Sequence, residues 1–166
     1  MLSRLRGTLS VELIAALVLL SLIATLRFYK LDADPPIGVS VSADVFTDPP
    51  QYTLNARNAE SLGEYETIED PRRVVFLKSI VTATATAVFT IFGVGVYQSN
   101  LVGLFYSLGS LLLFFLFLWR STGKLSGLLF LILIAFNYNQ IFYGRLPFLE
   151  HAMVFYAFLS LVLLVS

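Results

Sequence analysis

Apolar residues fill five runs of this chain, at 9–28, 79–98, 101–119, 125–142 and 152–166, and polar residues collect mainly between the first two. A bilayer core of about 30 Å takes about 20 helical residues to cross. Runs of this length predict membrane-spanning helices. The first is broken only by Glu12 and Arg27 and leads into Arg27-Phe28-Tyr29-Lys30. A secretory signal would end in a small-residue cleavage site; none follows, and the run is read as a retained anchor. The last run is barely long enough to cross and stops at Ser166, so the chain is expected to be truncated at its C-terminus.

From 29 to 78 the pattern is different. Pro35-Pro36, Pro49-Pro50 and Pro71 punctuate it, and proline pairs forbid one continuous helix. The piece from Gln51 to Leu62 is predicted helical, with Pro49-Pro50 as its first turn and Gly63 as its stop. Asp48 would be its N-cap, with its carboxylate on the free N–H groups at the positive end of the dipole.

The run after Lys78 is unusual. Ser79, Thr82, Thr86, Thr90 and Gly93 recur at helical spacing and make a small, hydroxylated stripe. Such a stripe either packs against another helix or is the wet side of a helix lying in the interface. Counting crossings chooses between these two placements of the run. If 79–98 spans, there are five crossings, and Arg120 and Lys124 lie outside. If it lies along the membrane, there are four, and Arg120 and Lys124 join Arg4 and Arg6 in the cytoplasm. Positive-inside counting selects the second arrangement. The expected fold is all-α integral membrane, a single membrane domain with about four transmembrane helices at 9–28, 101–119, 125–142 and 152–166. An external acidic loop occupies 29–78 and a membrane-lying helix 79–97.

Composition agrees with this. The chain is 57% hydrophobic and only 13% charged, against about 25% charged in soluble domains. Net charge is zero, so the basic face that nucleic acid requires is missing. Cysteine is absent, which excludes disulfides, thiolate metal sites and Cys nucleophiles.

Charge placement raises the question of chemistry. Nine of the eleven acids fall between Asp32 and Asp70, and the other two, Glu12 and Glu150, edge apolar runs. In the four-span arrangement the Asp44/Asp48 pair and Glu150 share the external face. Carboxylates there act as a general base, hold a divalent cation through oxygen ligands, or are solvated. Glu150 opens the last apolar run, where interfacial acids are functional candidates; the plainer reading pairs it with Arg145. Arg57 and Arg145 have the planar donor fork that clamps phosphate, or they serve as surface ion-pair partners. Asn55, Asn58 and the Asn137–Gln140 cluster either bind a hydroxyl-rich ligand or cap a helix. His151, the single histidine, reads as an interfacial residue, with no Ser and Asp arrangement to make a triad.

The order of these pieces resembles the N-terminal part of polyprenyl-phosphate-dependent membrane glycosyltransferases of the C-type superfamily. It is most similar to the dolichyl-phosphate-mannose protein mannosyltransferase and aminoarabinose transferase group. The resemblance rests on Asp48, Tyr52, Asn55-Ala56-Arg57-Asn58 and Gly63, then Phe92-Gly93, Arg120 and Gly123, and Arg145 with Glu150. It runs through nearly the whole chain in order, in short motifs.

The resemblance implies that Asp48 is the catalytic base. It would deprotonate an acceptor hydroxyl that attacks the anomeric carbon of a polyprenyl-phosphate-linked sugar, with inversion. Glu150 would position the acceptor or a metal, with Tyr52, Asn55, Arg57 and Arg145 on the substrates. The acceptor would be a lipid, glycan or protein. Any cofactor would be a divalent metal cation held by Asp48 and Glu150. The setting would be a bacterial or archaeal plasma membrane with the acidic loop outside. Two departures stand: Pro49 occupies a place where the family often has Glu, and the family has many more spans and a C-terminal external part. The alternative is a non-enzymatic membrane protein, a transporter fragment or assembly subunit, whose acidic loop is simply solvated.

Overall fold

The computed structural model describes residues 10–33, 48–64 and 79–165, with backbone alone for 48–51 and 165. Among these residues the fold is all-helical. The helices are α1 (Val11–Phe28), a short 3-10 turn (Leu31–Ala33), α2 (Asp48–Leu62), α3 (Ile80–Phe92), α4 (Val96–Ser121), α5 (Lys124–Ala135), α6 (Tyr138–Tyr143) and α7 (Leu149–Val165). Asp44, the Pro35-Pro36 pair, Arg72-Arg73 and the basic N-terminus lie outside the described residues.

Local chemistry sets the helix ends. The Ser10 side chain accepts the N–H of Leu13 at the start of α1. Ser79 does the same for Thr82 at the start of α3, each satisfying an orphan donor of the first turn. Gly63 (φ +77°) ends α2 and Gly93 (φ +82°) ends α3, in a backbone region that costs glycine little. The apolar run 125–142 is not one helix. Asn137 interrupts it by accepting the N–H of Gln140 through its side chain, which starts α6 after α5 has ended at Ala135.

Two helices, α1 and α4, are long and apolar enough to cross a membrane; α3, α5 and α7 are shorter apolar helices. At 1.5 Å per residue α4 is about 39 Å long and α3 only about 20 Å.

Side-chain contacts fix which helix ends lie together. At one end, Glu12 of α1 pairs with Lys124 of α5 at 3.7 Å. Packed against the same core, Trp119 of α4 covers Gly127 of α5. At the other end, Asn100 at the head of α4 donates to the Leu31 carbonyl just past α1, at 2.9 Å. Residues 31 and 100 are therefore neighbours, and the chain between them leaves and returns to the same end of the bundle. The loop before α7 closes this end: the Leu146–Pro147 backbone lies directly on Gly103 of α4. The helices thus alternate in direction, α1 towards this head end, α4 away, α5 towards it and α7 away.

Two cores result. Ala16, Ile23, Leu111, Phe115, Leu131 and Ala135 join α1, α4 and α5. Tyr52, Ala56, Val81, Ala85, Phe89, Val102, Tyr106 and Ala152 join α2, α3, α4 and α7 at the head end. Phe114 links the sides of the bundle, with ring centroids 4.9 Å from Phe130 and 4.8 Å from Phe158.

Candidate functional site

The candidate residues lie on α2 and on the loop that leads into α7, both at the head end. Helix α2 is polar, so it docks by pairing hydroxyls and amides around a few small or aromatic contacts. Its inward face holds Tyr52, Thr53, Asn55, Ala56 and Asn58, all buried. Thr53 shares a 3.0 Å hydrogen bond with Ser99. Thr82 of α3 donates to the Tyr52 carbonyl at 3.4 Å, and Thr90 donates to Glu60. The hydroxylated stripe on α3 is therefore a docking face for α2 along Thr82 and Thr90. Thr84, on another side, meets the Tyr106 hydroxyl of α4.

This placement bears directly on the expected site residues. The Tyr52 and Asn55 side chains point into the packed interior, at 9% and 6% exposure. Arg57 faces outward, and its Nη2 donates to Asn58 Oδ1 at 3.0 Å. Asp48 opens α2 as its first helical residue rather than as the flanking N-cap expected from the sequence, eight residues before Ala56 and so about 12 Å along the axis; its carboxylate lies outside the described residues.

In the second loop, Arg145 Nη2 donates to the carbonyls of Tyr29 (2.8 Å) and Lys30. These carbonyls cap the C-terminal end of α1, where a cation is favoured by the unsatisfied oxygens and the dipole. Arg145 thereby fastens the loop before α7 to the end of α1. Glu150 is exposed in the first turn of α7. His151 Nε2 donates to the Tyr143 carbonyl at 2.8 Å, since a carbonyl only accepts.

Ala56 of α2 and Ala152 of α7 belong to one buried cluster that also takes in residues of α3 and α4. Glu150 stands two residues before Ala152. Asn137 caps α6, which answers the open choice at 137–140 in favour of capping for that residue. Among the described residues no group of three or more His, Cys, Asp or Glu side chains is placed to hold a metal ion.

Sequence reasoning passed over three residues of this end. Ser99 and Asn100 tie α4 to α2 and to the end of α1; an Asn next to a long apolar run was the available signal. Arg27, noted only as an interruption of the first run, is completely buried.

Compared with known proteins, the chain matches no protein family, no curated protein and no solved structure.

Proposed function

We propose that this chain is a membrane glycosyltransferase module in which the head end, carrying Asp48 and Glu150, faces away from the cytoplasm. The observation that carries this reading is the shared buried cluster of Ala56 and Ala152. Through α3 and α4 it links the helix that Asp48 begins to the helix that carries Glu150 in its first turn. In the reaction, Asp48 accepts the proton of an acceptor hydroxyl as its oxygen attacks the sugar anomeric carbon. The bond from that carbon to the phosphate oxygen breaks, and the polyprenyl phosphate leaves with the electron pair. Configuration inverts. Glu150, exposed beside this end, orients the acceptor, and Arg57 is the outward-facing guanidinium available to the phosphate.

Four crossings, by α1, α4, α5 with α6, and α7, fit the alternation of direction. The nearness of Leu31 and Asn100 supports a placement of α3 along the membrane rather than across it. The outward surface supports a lipid setting: Val11, Val18, Leu125, Leu133 and Leu164 are 62–84% exposed, and apolar surface of that extent is costly in water. Arg120 and Lys124 then mark the cytoplasmic end.

A specific observation favours the second reading, a non-catalytic membrane subunit. Tyr52 and Asn55 are used in packing and Arg145 on the end of α1. The two readings part on turnover. Membranes containing the chain, given a panel of polyprenyl-phosphate hexoses and pentoses, are expected to release free polyprenyl phosphate in step with glycosylated acceptor. No release with any donor, from protein shown to be folded, supports the subunit reading instead.

A further inference from the structure

Helix α6 is short, yet it gathers aromatic and amide side chains at the head end. Tyr138 and Phe142 stand one turn apart, and their rings lie nearly parallel, at 12° with centroids 5.9 Å apart. Tyr143 meets Phe142 edge-on at 5.3 Å. Phe148, just before α7, follows at 6.0 Å from Tyr143, and His151 stands 5.9 Å beyond it. The rings form one row from α6 to the first turn of α7, where Glu150 is exposed. Tyr138 is 72% exposed and Tyr143 40%, so the row is open to the surroundings.

Two amides accompany the start of this row. Asn139 and Gln140 are both exposed. Among the described residues neither carboxamide has a hydrogen-bond partner, since Gln140 gives Asn137 only its backbone N–H. A carboxamide offers two donors and an acceptor, which complements the neighbouring hydroxyls of a sugar. The C–H face of a sugar ring lies flat on an aromatic face through weak C–H contacts, and a rigid tyrosine loses little entropy in receiving it.

Charge decides between a sugar and a lipid surface. Helices that lie on a bilayer carry Lys and Arg on their polar face. No charged residue occurs between Lys124 and Arg145, and Arg145 is turned to the carbonyls of Tyr29 and Lys30. An aromatic belt at the interface would use the rings but would leave the two open amides without a role. A charged ligand would find no counter-charge on α6.

We infer that this row binds a neutral oligosaccharide, with sugar rings on Tyr138 and Tyr143 and hydroxyls on Asn139 and Gln140, its chain running towards Glu150. The inference rests on the transferase reading in one respect: it makes the acceptor a glycan.

The test uses the full chain in nanodiscs, without any sugar donor, titrated with neutral gluco-, manno- and galacto-oligosaccharides and followed by saturation-transfer NMR. The wild type is expected to bind at least one of these series saturably. Tyr138→Ala and Gln140→Ala are each expected to weaken that binding about tenfold, the worth of a stacked ring or of one to two hydrogen bonds. Tyr138→Phe, which keeps the ring, is expected to stay within about threefold of the wild type. The inference is overturned if the wild type binds none of the oligosaccharides, or if both alanine variants bind as the wild type does. It is also overturned if Tyr138→Ala leaves sugar binding unchanged and lowers the thermal midpoint in nanodiscs but not in micelles, the behaviour of an interfacial belt. Binding without donor keeps the two readings apart. Saturable binding with no turnover upholds the carbohydrate site and counts against the transferase; turnover with no binding overturns this inference alone.

Discussion

Asp48→Asn is expected to lower sugar transfer by about 100- to 10,000-fold, the usual contribution of a positioned general base, with the helical content of the membrane protein unchanged. The substitution keeps the size of the side chain and its ability to accept a hydrogen bond at a helix start, where Asn and Asp rank alike. What it removes is the capacity to take a proton. That separates the two roles open to Asp48: a polar residue at the helix start survives the change and a base does not. The helix dipole favours the carboxylate form, so cap and base are compatible in one residue. Transfer retained at the wild-type rate would remove Asp48 from the mechanism. The measurement is turnover at saturating donor, alongside circular dichroism of the same preparations.

Gly103→Ala is expected to destabilise the bundle by about 3 kcal/mol, the upper part of the range for overpacked sites. A methyl group at this position would overlap the Leu146 carbonyl and the Pro147 nitrogen. Backbone cannot turn aside as a side chain does, and Arg145 fastens the same loop to the end of α1. Gly127 is the natural comparison. A methyl group there would meet ring atoms of Phe115 and Trp119 at 3.1 Å, which a small ring movement relieves. Gly127→Ala is therefore expected to cost under about 1 kcal/mol, helped by the better helix propensity of alanine. Denaturant unfolding in detergent micelles measures both. Equal, small effects would mean that the loop before α7 does not sit on α4 as described.

Much of the helical layout is legible from residue pattern because it depends on local chemistry. The Pro49-Pro50 pair and Gly63 bound α2, since proline and glycine act on their own backbones. The helix expected over 79–97, by contrast, ends at Phe92 before Gly93, and residues 96–97 belong to α4. The hydroxyl spacing of α3 is equally plain, but its meaning depends on a partner. Only the placement of α2 over Thr82 and Thr90 decides between a docking face and a wet one. The break at Asn137 was hidden in an apolar run, because one capping side chain outweighs the hydrophobic pattern around it. The candidate site divides the same way. Residue types suggest Tyr52, Asn55, Arg57 and Arg145 as ligand contacts. Burial of the first two and the bond of Arg145 to the end of α1 are tertiary facts, set by partners such as Thr82 and Tyr29, 30 and 116 positions away in the chain. Arg27 shows the limit most clearly: a charge near the end of a span reads as an interfacial anchor, and only packing reveals that it points inwards.

The central claim is that the turn between α4 and α5 and the segment around α6 lie at opposite ends of a bundle crossing the membrane, with the acid-bearing helices at the second. Cysteines at Ser121 and Asn139, placed one at a time in this cysteine-free chain, test it in intact cells with an impermeant maleimide. The account predicts labelling of Asn139→Cys from outside and of Ser121→Cys only after the membrane is opened. Labelling of Ser121→Cys from outside, or of both positions from one side, would contradict it.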